Sequence, residues 1–151
     1  MITKPIPYGR QHITDEDIQC VIDALKSDYL TQGPKIKEFE EAFASYVGCK
    51  YAIAVNNATA GLHLAATALD VNLGDKVIVT PLTFAASANC IRFRGGEVVF
   101  CDVEEDTYLM DIKKLSRLLS QSPKGTYKGI VLVDFAGYPA NLEAFRQLAD
   151  E

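Results

Sequence analysis

Two asparagines end the apolar run Ala52-Ile53-Ala54-Val55, and a segment with helical spacing follows: Leu62, Ala65, Ala66 and Leu69. This pattern predicts a strand, a tight turn and a helix whose N-terminus faces the carboxyl end of the strand. The first backbone N–H groups of such a helix have no partner inside it, and the helix dipole adds positive potential there. Together they form a site for an anion, typically phosphate. Asn57 can cap the helix, small Ala58 lets a ligand approach the backbone, and Thr59 can add a hydroxyl donor. The same residues would also build an ordinary capped helix after a buried strand. The turn alone therefore defines a candidate, and the rest of the chain must decide it.

Other chemistry-bearing residues are few. The cysteines are Cys20, Cys49, Cys90 and Cys101, none at CxxC spacing, and the histidines are only His12 and His63. Zinc ligation is disfavoured, and buried, reduced thiols are expected. A net charge of −5 leaves no electrostatic footprint for nucleic acid. No apolar run approaches the roughly 20 residues that a membrane-spanning helix needs, so no membrane partner is expected. The first residues, Met1-Ile2-Thr3-Lys4-Pro5, carry no signal-peptide pattern, which places the expected location in the cytoplasm. With 151 residues, 48% of them apolar and 23% charged, the chain suits one globular domain.

The elements that must position these residues come in order. Pro5, Pro7 and Gly9 break residues 1–13, where Tyr8 either pins the arm or touches a ligand. Thr14 caps a helix with Asp15, Glu16 and Asp17 in its first turn and Ile18, Val21, Ile22 and Leu25 as its buried stripe. A polar loop, Ser27–Pro34, leads to a second amphipathic helix with Ile36, Phe39, Phe43, Tyr46 and Val47 facing inward and Gly48 as its stop. From residue 51 the pattern alternates. Strands are predicted at 51–55, 76–80, 97–101 and 129–133, each followed by a helix, at 58–70, 84–94, 111–120 and from about 141. Apolar strands alternating with amphipathic helices imply an α/β fold, a three-layer αβα arrangement around a mostly parallel sheet. Ligands of such sheets bind outside the carboxyl ends of the strands. Four stretches converge there: Asn57–Thr59, Pro81–Phe84, Asp102–Val103 and Asp134–Gly137. The stripe Leu142, Phe145, Leu148 and Ala149 runs to Glu151 without a stop signal, which suggests an architecture cut short. A small domain with a frayed last helix is the alternative.

Several runs resemble, in order, the signatures of the DegT/DnrJ/EryC1/StrS sugar-nucleotide aminotransferase family. They are Leu30-Thr31-Gln32-Gly33 with Phe39-Glu40-Glu41-Ala42, then Asn56 through Ala65, then Thr80 through Asn89. Val133-Asp134-Phe135-Ala136-Gly137 brings the resemblance closest to the transaminases of pseudaminic acid biosynthesis. The resemblance implies the large domain of fold-type-I enzymes that use pyridoxal 5'-phosphate, present in part. It also implies a homodimer and transfer of an amino group from glutamate to a keto-sugar nucleotide, a UDP-4-keto-6-deoxy-N-acetyl sugar. Asn57, Ala58 and Thr59 would hold the cofactor phosphate, and Phe84 would stack on its ring, unless Phe84 is simply core. Tyr8, Asp28, Tyr29, Leu30 and Thr31 match positions that touch the sugar nucleotide, with ordinary surface-loop chemistry as the alternative. Residues 1–34 would be the arm, first helix and substrate loop, and residues 35–151 the N-terminal part of the cofactor-binding domain.

The mechanism needs a Schiff-base lysine and a carboxylate for the pyridine nitrogen. Both fall, in the family, after the strand expected past residue 151. Lys35, Lys37, Lys50, Lys76, Lys113, Lys114, Lys124 and Lys128 lie in solvated contexts, and Asp102 and Asp134 match other positions. No catalytic residue is therefore assigned within the chain, which is expected to be inactive alone. A non-catalytic sugar-nucleotide-binding or dimerisation module, complemented by a separate polypeptide, is the alternative. Dehydratases and regulatory proteins of the same fold differ at the lysine, outside the chain. Apolar surface on the outer faces of helix 36–47 and of Gly61–Leu64 predicts self-association.

Overall fold

The computed structural model describes residue 7 and residues 9–151. The chain forms two compact units, Met1–Ala54 and Val55–Glu151.

In the first unit, Thr14 opens helix α1, Asp15–Leu25. Its hydroxyl accepts the Asp17 N–H at 3.3 Å, and the Asp17 carboxylate accepts the Thr14 N–H at 2.8 Å. This is the reciprocal capping box that satisfies two otherwise orphaned donors. Helix α2, Pro34–Val47, starts with proline, whose missing N–H costs nothing at that position. It stops at Gly48, in the left-handed region at φ 72°. The elements match the sequence expectation, but the burial does not. Ile18, Val21 and Leu25 of α1 and Ile36, Phe39, Phe43, Tyr46 and Val47 of α2 are exposed, Tyr46 by 90%. Only Ala44 of the two helices is buried. Two helices, with no third surface among the described residues of their unit, cannot close off both stripes. Residues 51–55 also depart from expectation: they pair with no strand among the described residues. The Ala54 N–H donates instead to Glu40 of α2, at 2.8 Å.

The second unit is built on a parallel sheet. Helix α3, Ala58–Ala68, precedes strand β1, Lys76–Val79, and helix α4, Ala86–Arg92, follows it. Strand β2, Glu97–Phe100, helix α5, Ile112–Ser120, strand β3, Tyr127–Val131, and helix α6, Leu142–Asp150, complete the chain. The sheet order is β2-β1-β3, with both pairings parallel. Alternation along β1 splits the core in two, as a sheet covered on both faces requires. Val77 and Val79 pack with Ala66 of α3 and Cys90 and Ile91 of α4. Ile78 packs with Leu115 of α5 and Phe145 of α6. The three-layer α/β expectation is met. Gly96 permits a close approach inside the core: a Cβ there would lie 2.7 Å from Val71 Cγ1 and 2.8 Å from Ile91 Cγ2.

The thiols divide between the units. Cys90 and Cys101 are buried, and burial pushes both above the ordinary thiol range. Cys20 and Cys49 are exposed, against expectation, because they belong to the unit whose apolar faces are not closed.

Candidate functional site

The start of α3 is the best-formed anion site in the sequence reading, and its geometry follows from Asn57. This residue is extended at φ −166°, and its side-chain oxygen accepts the Ala60 N–H at 2.9 Å. Its carbonyl accepts the Gly61 N–H at 3.2 Å. Asn57 thus consumes the amides of the turn's far side. The amides of Ala58 and Thr59 have no acceptor within the helix and sit at its positive end. Ala58 is exposed and Thr59 half-buried, so an anion can reach both amides.

The connector after β1 carries the aromatic candidate. Thr80 is buried, and the chain then turns through Pro81, Leu82 and Thr83 to Phe84. Phe84 is 78% exposed, which removes the reading of Phe84 as core. Helices α3 and α4 pack against each other, so the elements that follow the turn and the connector are neighbours. One helix start with free amides and one flat, uncovered ring make a donor set suited to a phosphorylated aromatic ligand.

The two aspartates at the sheet's carboxyl edge have structural partners. Asp102 accepts from Lys114 Nζ at 2.7 Å and from the Val103 N–H at 2.9 Å. The Lys114 ammonium, then the Val103 amide, hold its carboxyl below the usual range, and Asp102 in turn raises Lys114. Asp134 accepts the Ala140 N–H at 2.9 Å and pins the turn closed by the Phe135–Tyr138 bridge. Each aspartate thus has a structural role at the sheet edge. A further contact was not read from sequence: the rings of Tyr108 and Phe135 lie 5.7 Å apart, joining the loops after β2 and β3. Tyr108 and Ala136 both take positive φ, 59° and 51°, to make these turns. Spacing gives no signal for a pair so far apart in the chain.

Asp28, Tyr29, Leu30 and Thr31 form an exposed loop of the first unit. The Ser27 hydroxyl donates to the Ala24 and Tyr29 carbonyls at 2.7 and 3.1 Å, and Gly33 closes the loop, where a Cβ would lie 2.8 Å from Tyr29 Cβ. Tyr8 lies outside the described residues. A groove of about 740 Å³ lies elsewhere, between β3 and α6, lined by Gly129, Ile130, Leu132, Phe145, Arg146 and Gln147 among others. Its lining is mostly apolar, and Arg146 turns to Asp150 within α6, so donor placement rather than volume favours the start of α3.

An α/β chain with a parallel sheet and a candidate anion site at a helix start belongs to a broad class. The comparisons narrow it. Residues 11–151 match the model of the DegT/DnrJ/EryC1/StrS aminotransferase family, and the chain belongs to that family. It is 40% identical over 144 residues to the spore coat polysaccharide biosynthesis protein SpsC of Bacillus subtilis, covering 95% of this chain and 36% of SpsC. It is 41% identical over 144 residues to the UDP-4-amino-4,6-dideoxy-N-acetyl-β-L-altrosamine transaminase of Campylobacter jejuni, covering 95% of this chain and 37% of the transaminase. Among solved structures, Spr1654 of Streptococcus pneumoniae in its PLP form superposes with a TM-score of 0.86 at 34% identity, covering 95% of this chain and 36% of the other. Helicobacter pylori PseC, an aminotransferase of pseudaminic acid biosynthesis, superposes with 0.85 at 30% identity, covering 97% and 39%. The chain spans 36–38% of the length of the curated relatives it matches. Among the described residues, no helix is long and apolar enough to cross a membrane.

Proposed function

We propose that the chain is the cofactor-phosphate and ring-stacking portion of an aminotransferase that uses pyridoxal 5'-phosphate and converts a keto-sugar nucleotide with glutamate as donor. The single observation that carries this is the start of α3, where Asn57 caps Ala60 and leaves the Ala58 and Thr59 amides for a ligand. The residues fit the cofactor: two amides and the Thr59 hydroxyl for its phosphate, and exposed Phe84 for its ring. When bound, pyridoxal 5'-phosphate supplies an electron sink for the amino transfer. This chain's residues bind and orient. The amides of Ala58 and Thr59 and the helix dipole hold the dianion, Asn57 fixes the turn, and Phe84 sets the plane of the ring. The exposed loop Asp28–Thr31 is proposed, with Tyr8, to meet the sugar nucleotide. The identity to the Campylobacter transaminase favours a UDP-linked, 4-keto-6-deoxy N-acetyl sugar.

Five of the lysines are engaged in ways that do not suit the proton-shuttling role. A Schiff-base amine must lose its proton readily. Lys35 and Lys114 are held by Glu38 and Asp102, which raise them and stabilise the ammonium. Lys37 and Lys76 pair with Glu41 and Glu97, and Lys124 donates to the Glu151 carbonyl. The chain is therefore proposed to bind the cofactor without transaminating by itself. A cytoplasmic homo-oligomer is part of the same reading, supported by the exposed Phe39, Phe43 and Tyr46 of α2. Light scattering should show a dimer or larger species, and a monomer would remove that part.

The test is a titration of the chain with pyridoxal 5'-phosphate, followed by the amide resonances of Ala58 and Thr59 and by the cofactor's dichroism. Saturable shifts at both amides are expected, with inorganic phosphate shifting the same pair. Amides that stay still at millimolar cofactor would overturn the reading. Borohydride trapping of the cofactor on one of the chain's lysines, or amino transfer by the chain, would overturn the division of labour.

A further inference from the structure

Phe84 is presented by a turn rather than by a helix, and that turn has its own fastening. The Ser87 N–H donates to the Phe84 carbonyl at 3.0 Å, closing one backbone turn beneath the ring. Across the same turn the hydroxyls of Thr83 and Ser87 lie 2.8 Å apart. Ser87 is only 7% exposed, and its carbonyl accepts the Cys90 thiol at 3.2 Å, which ties it into α4. At the other end, Thr80 is 1% exposed and anchors the connector in the core. Helix α4 has no side-chain cap: Ala85 occupies the N-cap position with helical angles, φ −54° and ψ −24°. A serine near a helix start ordinarily turns its hydroxyl to a local backbone group. Here it turns to the Thr83 hydroxyl, four residues back, and so spans the residue that bears the ring.

We propose that the Thr83–Ser87 hydroxyl bridge is a positioning device that holds the Phe84 ring ready for a flat ligand. It rests on the reading of Phe84 as a stacking surface. An exposed ring on a loose turn must be ordered when its ligand arrives, and that ordering weakens binding. The bridge orders the turn beforehand. Thr83 and Ser87 touch no ligand in this scheme and act through Phe84.

The experiment compares two probes on the 151-residue chain, pyridoxal 5'-phosphate and inorganic phosphate, in Thr83→Ala, Ser87→Ala, Thr83→Ser and Phe84→Ala. Thr83→Ala and Ser87→Ala should weaken the cofactor about fivefold, the scale of one intramolecular hydrogen bond. Affinity for inorganic phosphate, which uses only the start of α3 and does not reach the ring, should change by less than about twofold. Thr83→Ser keeps the oxygen and should restore the cofactor's affinity and its dichroic band. In a Phe84→Ala background, Thr83→Ala should add nothing further. Equal losses for both probes, or a loss that persists without the ring, would overturn the proposal. Hydrogen exchange at the Ser87 amide separates this proposal from the reading beneath it. If the parent chain binds neither probe, the cofactor reading fails. Faster exchange in Thr83→Ala would then still support the bridge, and unchanged exchange would sink it.

Discussion

The two units carry apolar stripes of the same quality and treat them in opposite ways. In Val55–Glu151, Ile78, Ile91 and Leu115 are closed from water, because a parallel sheet offers each face to a pair of helices. In Met1–Ala54, the stripes of α1 and α2 stay open and only Ala44 is buried within them. Periodicity specifies a helix and which of its faces is apolar. It does not specify what covers that face. The first unit shows the difference plainly, since its caps, its proline start and its glycine stop all form as written while its stripe remains exposed.

The largest expected effect that would sharpen this contrast is in the sheet. Leu115→Ala should cost about 3 kcal/mol in chemical denaturation, as for a fully buried leucine that leaves a cavity. Phe43→Ala, on the open face of α2, should cost less than about 0.5 kcal/mol in the same measurement. Equal costs would break the comparison and mean that the α2 face is covered in solution. Next comes Gly96→Ala, whose added methyl meets Val71 and Ile91 inside the core; a loss of about 2 kcal/mol in thermal unfolding is expected.

A smaller effect is expected in the first unit. Thr14→Ala removes the capping box and should lower local stability by about 1 kcal/mol. Hydrogen exchange should quicken in α1 and leave β1 unchanged; quickening in β1 as well would mean that the units unfold together.

The smallest effect is electrostatic. The carboxyl of Asp102 lies below its ordinary value near 3.8, so its pairing with Lys114 contributes above that pH. The contribution fades as pH falls below 3.8 through the depressed value. For Lys114, raised above 10.5, the contribution is complete below that pH and fades at higher pH. Both groups are exposed and screened, so the effect is slight. Carboxyl NMR titration of the parent and of Lys114→Ala should show Asp102 returning toward its ordinary value in the variant. An unmoved midpoint would mean that the Val103 amide alone holds it.

The local features around the candidate site were legible. Asn57 read as a cap and is one; Gly48 read as a helix stop and is one. Such features are local, decided by a side chain and backbone groups two to four residues away. The strand expected at 51–55 failed for the opposite reason. A strand is made by a neighbour supplying ladder hydrogen bonds, and residues 51–55 find none among the described residues. The roles of Asp102 and Asp134 were equally hidden. Lys114 reaches Asp102 only because α5 returns alongside the end of β2, and Ala140 reaches Asp134 only across a closed turn.

The sequence by itself determined the helices with their caps and stops, and three of the four expected strands, because these are signalled by residues within one or two turns of chain. The tertiary structure decided which stripes are buried, that Phe84 stands outside the core, and that hydroxyls and carboxylates pair across turns and loops. Those outcomes depend on which surfaces meet in space, and the spacing of residues along a chain does not carry that information.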